Sequence, residues 1–399
     1  MNQSLESYAN VILHVGISLQ KGQLLFIKAS VETVPFVRLL VAKAYERGAR
    51  DVIVRWNDET IHQLYVSYAD RERLATFSPY DVQEREALAG MGCAFLSLVS
   101  DGPLPLEQVS HERLMLFHQA KAQALFRYSQ YIQQDQVSWC VAAAATPAWA
   151  AAVFPQLPSE QQVQALWEAI FAAVRLNCSD PVRAWGEHIA TLTARCEHLN
   201  QRNFRSLHFK GPGTDLTVKL PATHRWIGAE NTRQDGHTFV SNLPVEELYT
   251  APEKFGVNGV VTSTKPLVYG GVVIPSFTLH IQEGRVITVE AAEGRTILEE
   301  LLRIDEGAAY FGEVALVDQA SPLAQRNLLF YQTLFDENAS CHLALGGAYP
   351  TCVTQGKEAL NTSSAHVDFM IGSDELSVTG TRLTGEVETI LKQGRWVSS

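Results

Sequence analysis

The sequence predicts two parts: an α/β N-terminal domain with a parallel sheet, followed by a mainly β (α+β) C-terminal domain. Two observations predict this. Over the first 200 residues, short apolar runs alternate with segments of helical spacing, as in βαβ units. Those runs are continuously apolar, as in strands buried on both faces. From about residue 203 the period becomes two and glycine turns separate the runs. The chain therefore divides near residue 200, into 1–200 and 201–399, and 399 residues suit two or three domains.

Taken in order, Leu5, Tyr8, Ile12 and Val15 repeat at helical spacing over 4–15. A β-rich run at 23–29 follows, then a helix at 36–46 stopped by Gly48, then a strand at 51–56. Runs at 94–99 and 137–141 complete four buried strands, with helical patterns at 112–132, 160–175 and 181–199. In the second part, Leu207 and Phe209, then Gly211-Pro212-Gly213, then Leu216, Val218 and Leu220 make a hairpin pattern. Asn258-Gly259 reads as another turn, and 277–281 with 286–289 as another hairpin.

Lys+Arg 32 against Asp+Glu 43 gives a net charge of −11, which argues against a general nucleic-acid binder. No run of about 18 apolar residues is present, so no membrane span is expected. The opening lacks the basic start and apolar core of an export signal. The six cysteines are scattered without a Cys-x-x-Cys pair, which reads as free thiols in a cytoplasmic protein. Asn338-Ala339-Ser340 is then only a nominal glycosylation sequon. Nucleotide-binding glycine motifs and a Gly-x-Ser-x-Gly elbow are absent. His111-Glu112 begins a zincin motif, but Met115 stands where the second histidine belongs.

The chemistry-bearing residues fall in the second part, in short and otherwise apolar segments. Glu246 and Glu247 lie in NLPVEELYT, and Glu313 in FGEVALV. Asp336, Glu337, His342 and Tyr349 lie in LFDENASCHLALGGAY, and His366 and Asp368 in SSAHVDFMIGS. His366 and Asp368, two apart in a β-like run, share one face of a strand, while Val367 and Phe369 face apolar packing. Glu247, Glu313, Glu337, His342, His366 and Asp368 supply four carboxylates and two imidazoles. Gathered without a cation, the carboxylates would repel. Two divalent ions balance them, and mixed N/O ligation suits zinc, cobalt or manganese. Such a pair can activate water and polarise a carbonyl. Plainer accounts also fit: Glu246-Glu247 and Asp336-Glu337 as helix N-terminal acids, or His366 bonded to Asp368 and nothing more.

These segments resemble the thermophilic metalloprotease family, the group of aminopeptidase T and aminopeptidase S. The resemblance also covers LESYANVILHVGISLQKGQ, WCVAAAATPAWAAAVFP and LHFKGPGTDLTVKLP. It implies an N-terminal α/β domain, a metal-binding C-terminal domain, a homodimer, and metal-dependent removal of N-terminal residues from peptide substrates. It places the ligands on Glu247, Glu313, Glu337, His342, His366 and Asp368, with Glu247 preferred over Glu246, and matches Tyr349 to a tyrosine near the metals. Glu313 is the expected bridge, Glu246 the candidate general base and Tyr349 the candidate oxyanion donor. Val245 replaces the family's usual threonine, and the segment between Tyr349 and His366 is shorter than in relatives, so specificity is expected to differ. Two other functions stay open: hydrolysis of non-peptide amides or esters at a binuclear site, and a non-catalytic module with one structural metal.

Overall fold

The computed structural model describes residues 1–102, 111–269 and 272–397. They form two compact units: Met1–Glu187 with Glu230–Pro244, and His188–Ala229 with Val245–Ser399.

The first unit is built on four parallel strands in the spatial order Asp51–Asn57, Leu24–Ser30, Ala94–Val99, Trp139–Ala143. Parallel neighbours require crossovers, and helices such as Val34–Glu46 and Pro79–Gly90 supply them. Leu25, Ile27, Leu96 and Ala142 are buried in the sheet. The opening helix Asn2–Val11 runs on into a π turn, Ile12–Gly16. Tyr8 anchors it, stacking on Phe36 at 5.4 Å and donating its hydroxyl to the Ala143 carbonyl at 3.0 Å. The single helical pattern at 112–132 is in fact two helices, His111–Ala124 and Phe126–Gln133, separated at the buried Leu125.

Among the described residues, the second unit carries two main antiparallel sheets, besides the two-stranded pair Leu267–Tyr269 and Val272–Ile274. The larger has eight strands, ordered Arg285–Ala291, Phe277–Gln282, Val257–Thr262, Thr214–Lys219, Ser206–Gly211, Ser377–Thr381, Val387–Lys392, Arg395–Trp396. The hairpins at 206–219 and 277–291 are present. Asn258-Gly259 is not a turn. It lies inside the strand Val257–Thr262, where Gly259 takes φ +128° and only glycine fits, since a Cβ there would sit 2.1 Å from the Asp215 carbonyl oxygen of the neighbouring strand.

The smaller sheet has the order His366–Met370, His342–Gly346, Phe311–Val317, Glu247–Thr250. Its register decides which residues share a face. Glu313 pairs with Ala344 and Ala344 with Asp368, while Val317 pairs with Glu247 and Ala315 with His342. With a side-chain period of two, Glu247, Glu313, His342, His366 and Asp368 all stand on one face. The other face carries Leu248, Val314, Leu316, Leu343, Leu345 and Phe369, all buried. Phe369 packs against Phe277 of the larger sheet at 5.3 Å. Among the described residues, no helix is long and apolar enough to cross a membrane.

Candidate metal centre

The polar face of the smaller sheet gathers two groups of side chains with ligand atoms close enough to hold one ion each. One is Glu247, Glu313 and His342; the other is Glu313, His366 and Asp368. Glu313 belongs to both. Glu313 Oε1 lies 3.5 Å from His342 Nε2, and its Oε2 lies 3.6 Å from His366 Nε2. Glu247 Oε2 is 3.1 Å from His342 Nε2, and Asp368 Oδ1 is 3.5 Å from His366 Nε2.

The backbone sets the direction of both imidazoles. His342 Nδ1 donates to the Ser340 carbonyl at 3.0 Å, and His366 Nδ1 to the Gly347 carbonyl at 2.8 Å. Each Nε2 then presents a lone pair to carboxylate oxygens that are themselves acceptors. Glu247 Oε2 and Asp368 Oδ1 are buried without a hydrogen bond of proper geometry. Acceptors facing acceptors in a buried site need a cation between them, either protons or metal ions. The donor set, carboxylate oxygens plus two imidazole nitrogens, fits hard-to-borderline divalent ions.

Without metal, protons fill that role. Burial pushes the Glu313 carboxyl up to about 7, helped by the neighbouring Asp368 and Glu247 and opposed by a hydrogen bond from His342. Burial together with Glu247 and Asp368 holds Glu337 well above the usual carboxylate range. Burial opposes charge on the histidines, but Glu247 and Glu313 outweigh it for His342, and Asp368 lifts His366 to about 9.

Glu337 enters from a short 3-10 turn, Glu337–Ala339, just before the His342 strand. Tyr349 places its ring 5.1 Å from that of His366 and 5.9 Å from Tyr249, and is 42% exposed. Burial of the phenol, then the Glu313 and Asp368 charges, keeps it protonated far above its ordinary range. Glu246 stands apart from both ligand groups. Its Oε2 lies 3.6 Å from His188 Nε2, on the helix Pro181–Arg202. Asp336, singled out in the sequence beside Glu337, turns both oxygens to backbone amides, with Phe330 N at 2.8 Å and Gln332 N at 3.0 Å.

Two asparagines that composition alone does not single out hold this arrangement. Asn338, fully buried, accepts from the Glu246 amide at 2.7 Å and donates to the Leu334 carbonyl at 3.0 Å and to Glu337 Oε1 at 3.4 Å. Asn361 donates to the Gly307 carbonyl at 2.8 Å and the Gly346 carbonyl at 2.5 Å. Gly346 takes φ +105° and passes so close to the Ala365 carbonyl that no side chain fits there. The signal for these positions is a small polar residue between ligand-type residues, which sequence alone does not distinguish from a surface turn.

Comparisons with known proteins identify the family. Residues 1–396 match the family described as thermophilic metalloprotease (M29). The chain is 45% identical to "Aminopeptidase AmpS" of Bacillus subtilis, over 99% of this chain and 98% of that one. It is 41% identical to "Aminopeptidase 2" of Geobacillus stearothermophilus over the same shares. The solved structure of "Wild-type AmpT from Thermus thermophilus", 38% identical, superposes with a TM-score of 0.95 over 100% of both chains. With its two ligand groups joined by Glu313 and a family match over nearly all its length, the chain belongs to the thermophilic metalloprotease family.

Proposed function

We propose that this chain is an aminopeptidase that removes N-terminal residues from peptides at a pair of divalent ions, zinc, cobalt or manganese. The observation that carries this is the double membership of Glu313, a single carboxylate with one oxygen toward each ligand group. Glu247 and His342 would complete one site and His366 and Asp368 the other, with Glu337 beside them. When bound, such a pair supplies Lewis acidity to a scissile carbonyl and a water of lowered pKa. The chain's own residues do the rest. The Ser340 and Gly347 carbonyls fix the imidazoles so that Nε2 faces the carboxylates with which it would hold the ions. Tyr349, held as a neutral phenol, donates a hydrogen bond to the developing oxyanion. Glu246 is the proposed proton acceptor, with His188 at 3.6 Å to balance its charge changes. The substrate's free α-ammonium pairs with a carboxylate of the cluster, which limits attack to the first peptide bond.

The same proposal includes a cytoplasmic homodimer. All six thiols are unpaired, as a reducing compartment favours.

The test is removal of metal with a chelator, followed by an assay on aminoacyl-p-nitroanilides before and after adding back zinc, cobalt or manganese. Turnover is expected to vanish and return, with about two ions per chain at saturation. Glu313→Ala is expected to lose at least about a hundredfold in kcat while remaining folded. Full turnover without metal, or a single bound ion, overturns the two-ion proposal.

A further inference from the structure

Beside the metal centre a pocket of about 250 Å³ runs along the edge strand His366–Met370, and His366 and Asp368 form part of its wall. The rest combines apolar side chains, Leu267, Val268, Tyr269, Val367 and Met370, with the polar Gln332 and Thr333, and Tyr331 lies among them. Asp336 also lines it, yet both its oxygens already accept backbone amides, from Phe330 and Gln332. Among the described lining residues, the remaining charge-bearing side chains are His366 and Asp368 of the metal-centre strand.

Tyr331 is the unusual residue here. It holds φ +56°, a left-handed backbone that a bulky side chain rarely adopts. The structure enforces this from both sides. The two amides flanking Tyr331 converge on the Asp336 carboxylate, and the preceding residue, Phe330, stacks its buried ring on Phe335 at 4.6 Å. Strain held by a buried carboxylate and a packed ring pair signals a side chain that must occupy a fixed place. That place is the pocket wall.

We propose that this pocket receives the side chain of the substrate's N-terminal residue, that Tyr331 determines its specificity, and that Asp336 is a positioning residue that holds Tyr331. This rests on the aminopeptidase function proposed above. The chemistry selects uncharged apolar side chains of leucine to phenylalanine size. A methyl group leaves most of 250 Å³ to water. An acidic side chain meets the carboxylate of Asp368, and His366 on the same wall already faces that carboxylate at 3.5 Å.

The decisive variant is Tyr331→Gly, because glycine adopts φ +56° freely, so the ring is lost without disturbing the turn. Wild-type enzyme, with metal restored, is assayed on Leu-, Phe-, Ala- and Asp-p-nitroanilides. Leu and Phe are expected to be favoured and Asp rejected. In Tyr331→Gly, kcat/KM for Leu and Phe is expected to fall about tenfold, while Ala stays within about twofold. Bound metal measured by elemental analysis is expected not to change. Tyr331→Phe keeps the ring and is expected to restore the wild-type Leu-to-Ala ratio. Asp336→Asn, which sets an amide group against a backbone amide, is expected to lower that ratio in the same direction. An equal loss on every substrate, or no loss in Tyr331→Gly, overturns the subsite while leaving the aminopeptidase function standing. No turnover of any substrate by wild-type enzyme overturns both.

Discussion

At the scale of single residues, Asn338 is the clearest case of a side chain whose work is invisible in the sequence. It ties the Glu337 turn to the backbone that carries Glu246 and Glu247, using its acceptor on one side and its donors on the other. Asn338→Ala removes the acceptor that the buried Glu246 amide meets at 2.7 Å, which costs about 1–3 kcal/mol. The loosened turn is expected to weaken metal binding about 10- to 100-fold. Urea denaturation and competition with a chelator measure the two effects; a variant unchanged in both would remove Asn338 from the account. In the sequence this residue reads as a nominal glycosylation sequon, because a neutral amide among small polar residues carries no periodicity. The ligand-type residues were legible for the opposite reason. A carboxylate or imidazole inside FGEVALV or HVDFMIGS is costly to bury alone, so its presence there implies compensation.

At the scale of elements, the smaller sheet works because its face alternates large ligands with small spacers. Glu313, Ala344 and Asp368 form one row across three strands. Ala344 keeps the space between two ligand groups clear. Ala344→Val should fill that space and lower bound metal to well under one ion per chain, while metal-free stability shifts by no more than about 1–2 kcal/mol. By contrast, Leu345→Ala on the opposite face should cost about 2–5 kcal/mol. Elemental analysis with chemical denaturation separates the two; full metal content in Ala344→Val would contradict the spacing argument. The loop before His366 depends on Asp305, which accepts from the amides of Gly307, Ala308 and Ser364 and the hydroxyls of Ser363 and Ser364, all within 2.9 Å. Partial burial opposes its charge, but those donors pull its pKa down to about 2. A depressed carboxylate stabilises the fold above its unfolded value near 4 and loses that contribution as pH falls toward 2. Asp305→Asn should therefore be less stable than wild type at neutral pH, and the difference should shrink between about pH 4 and pH 2. A difference independent of pH in urea titrations would contradict this. Strands and hairpins were legible from period two. Asn258-Gly259 was misread because a turn dipeptide is a local signal, whereas this glycine answers to a carbonyl on the neighbouring strand.

At the scale of the whole molecule, the two ligand groups lie entirely in the second unit, on four strands far apart in sequence. Residues 230–244 pack with the first unit although they follow the 206–219 hairpin, and no local pattern announces that return. Ligand binding stabilises only the state that offers the site, and an unfolded chain cannot hold Glu247, Glu313, His342, His366 and Asp368 together. Metal at about a thousandfold its dissociation constant adds roughly 4 kcal/mol, which slows amide exchange through unfolding about a thousandfold. That protection is expected at Glu247–Thr250, Phe311–Val317, His342–Gly346 and His366–Met370, the strands that carry the proposed ligands. The parallel strands Leu24–Ser30, Asp51–Asn57 and Ala94–Val99 hold no ligand and are expected to exchange at the same rate with metal or with chelator. Hydrogen exchange read by mass spectrometry distinguishes the cases. A uniform change over both units would place the stabilisation elsewhere than on the Glu313 sheet, and protection confined to the parallel strands would place the ions in the wrong half of the chain.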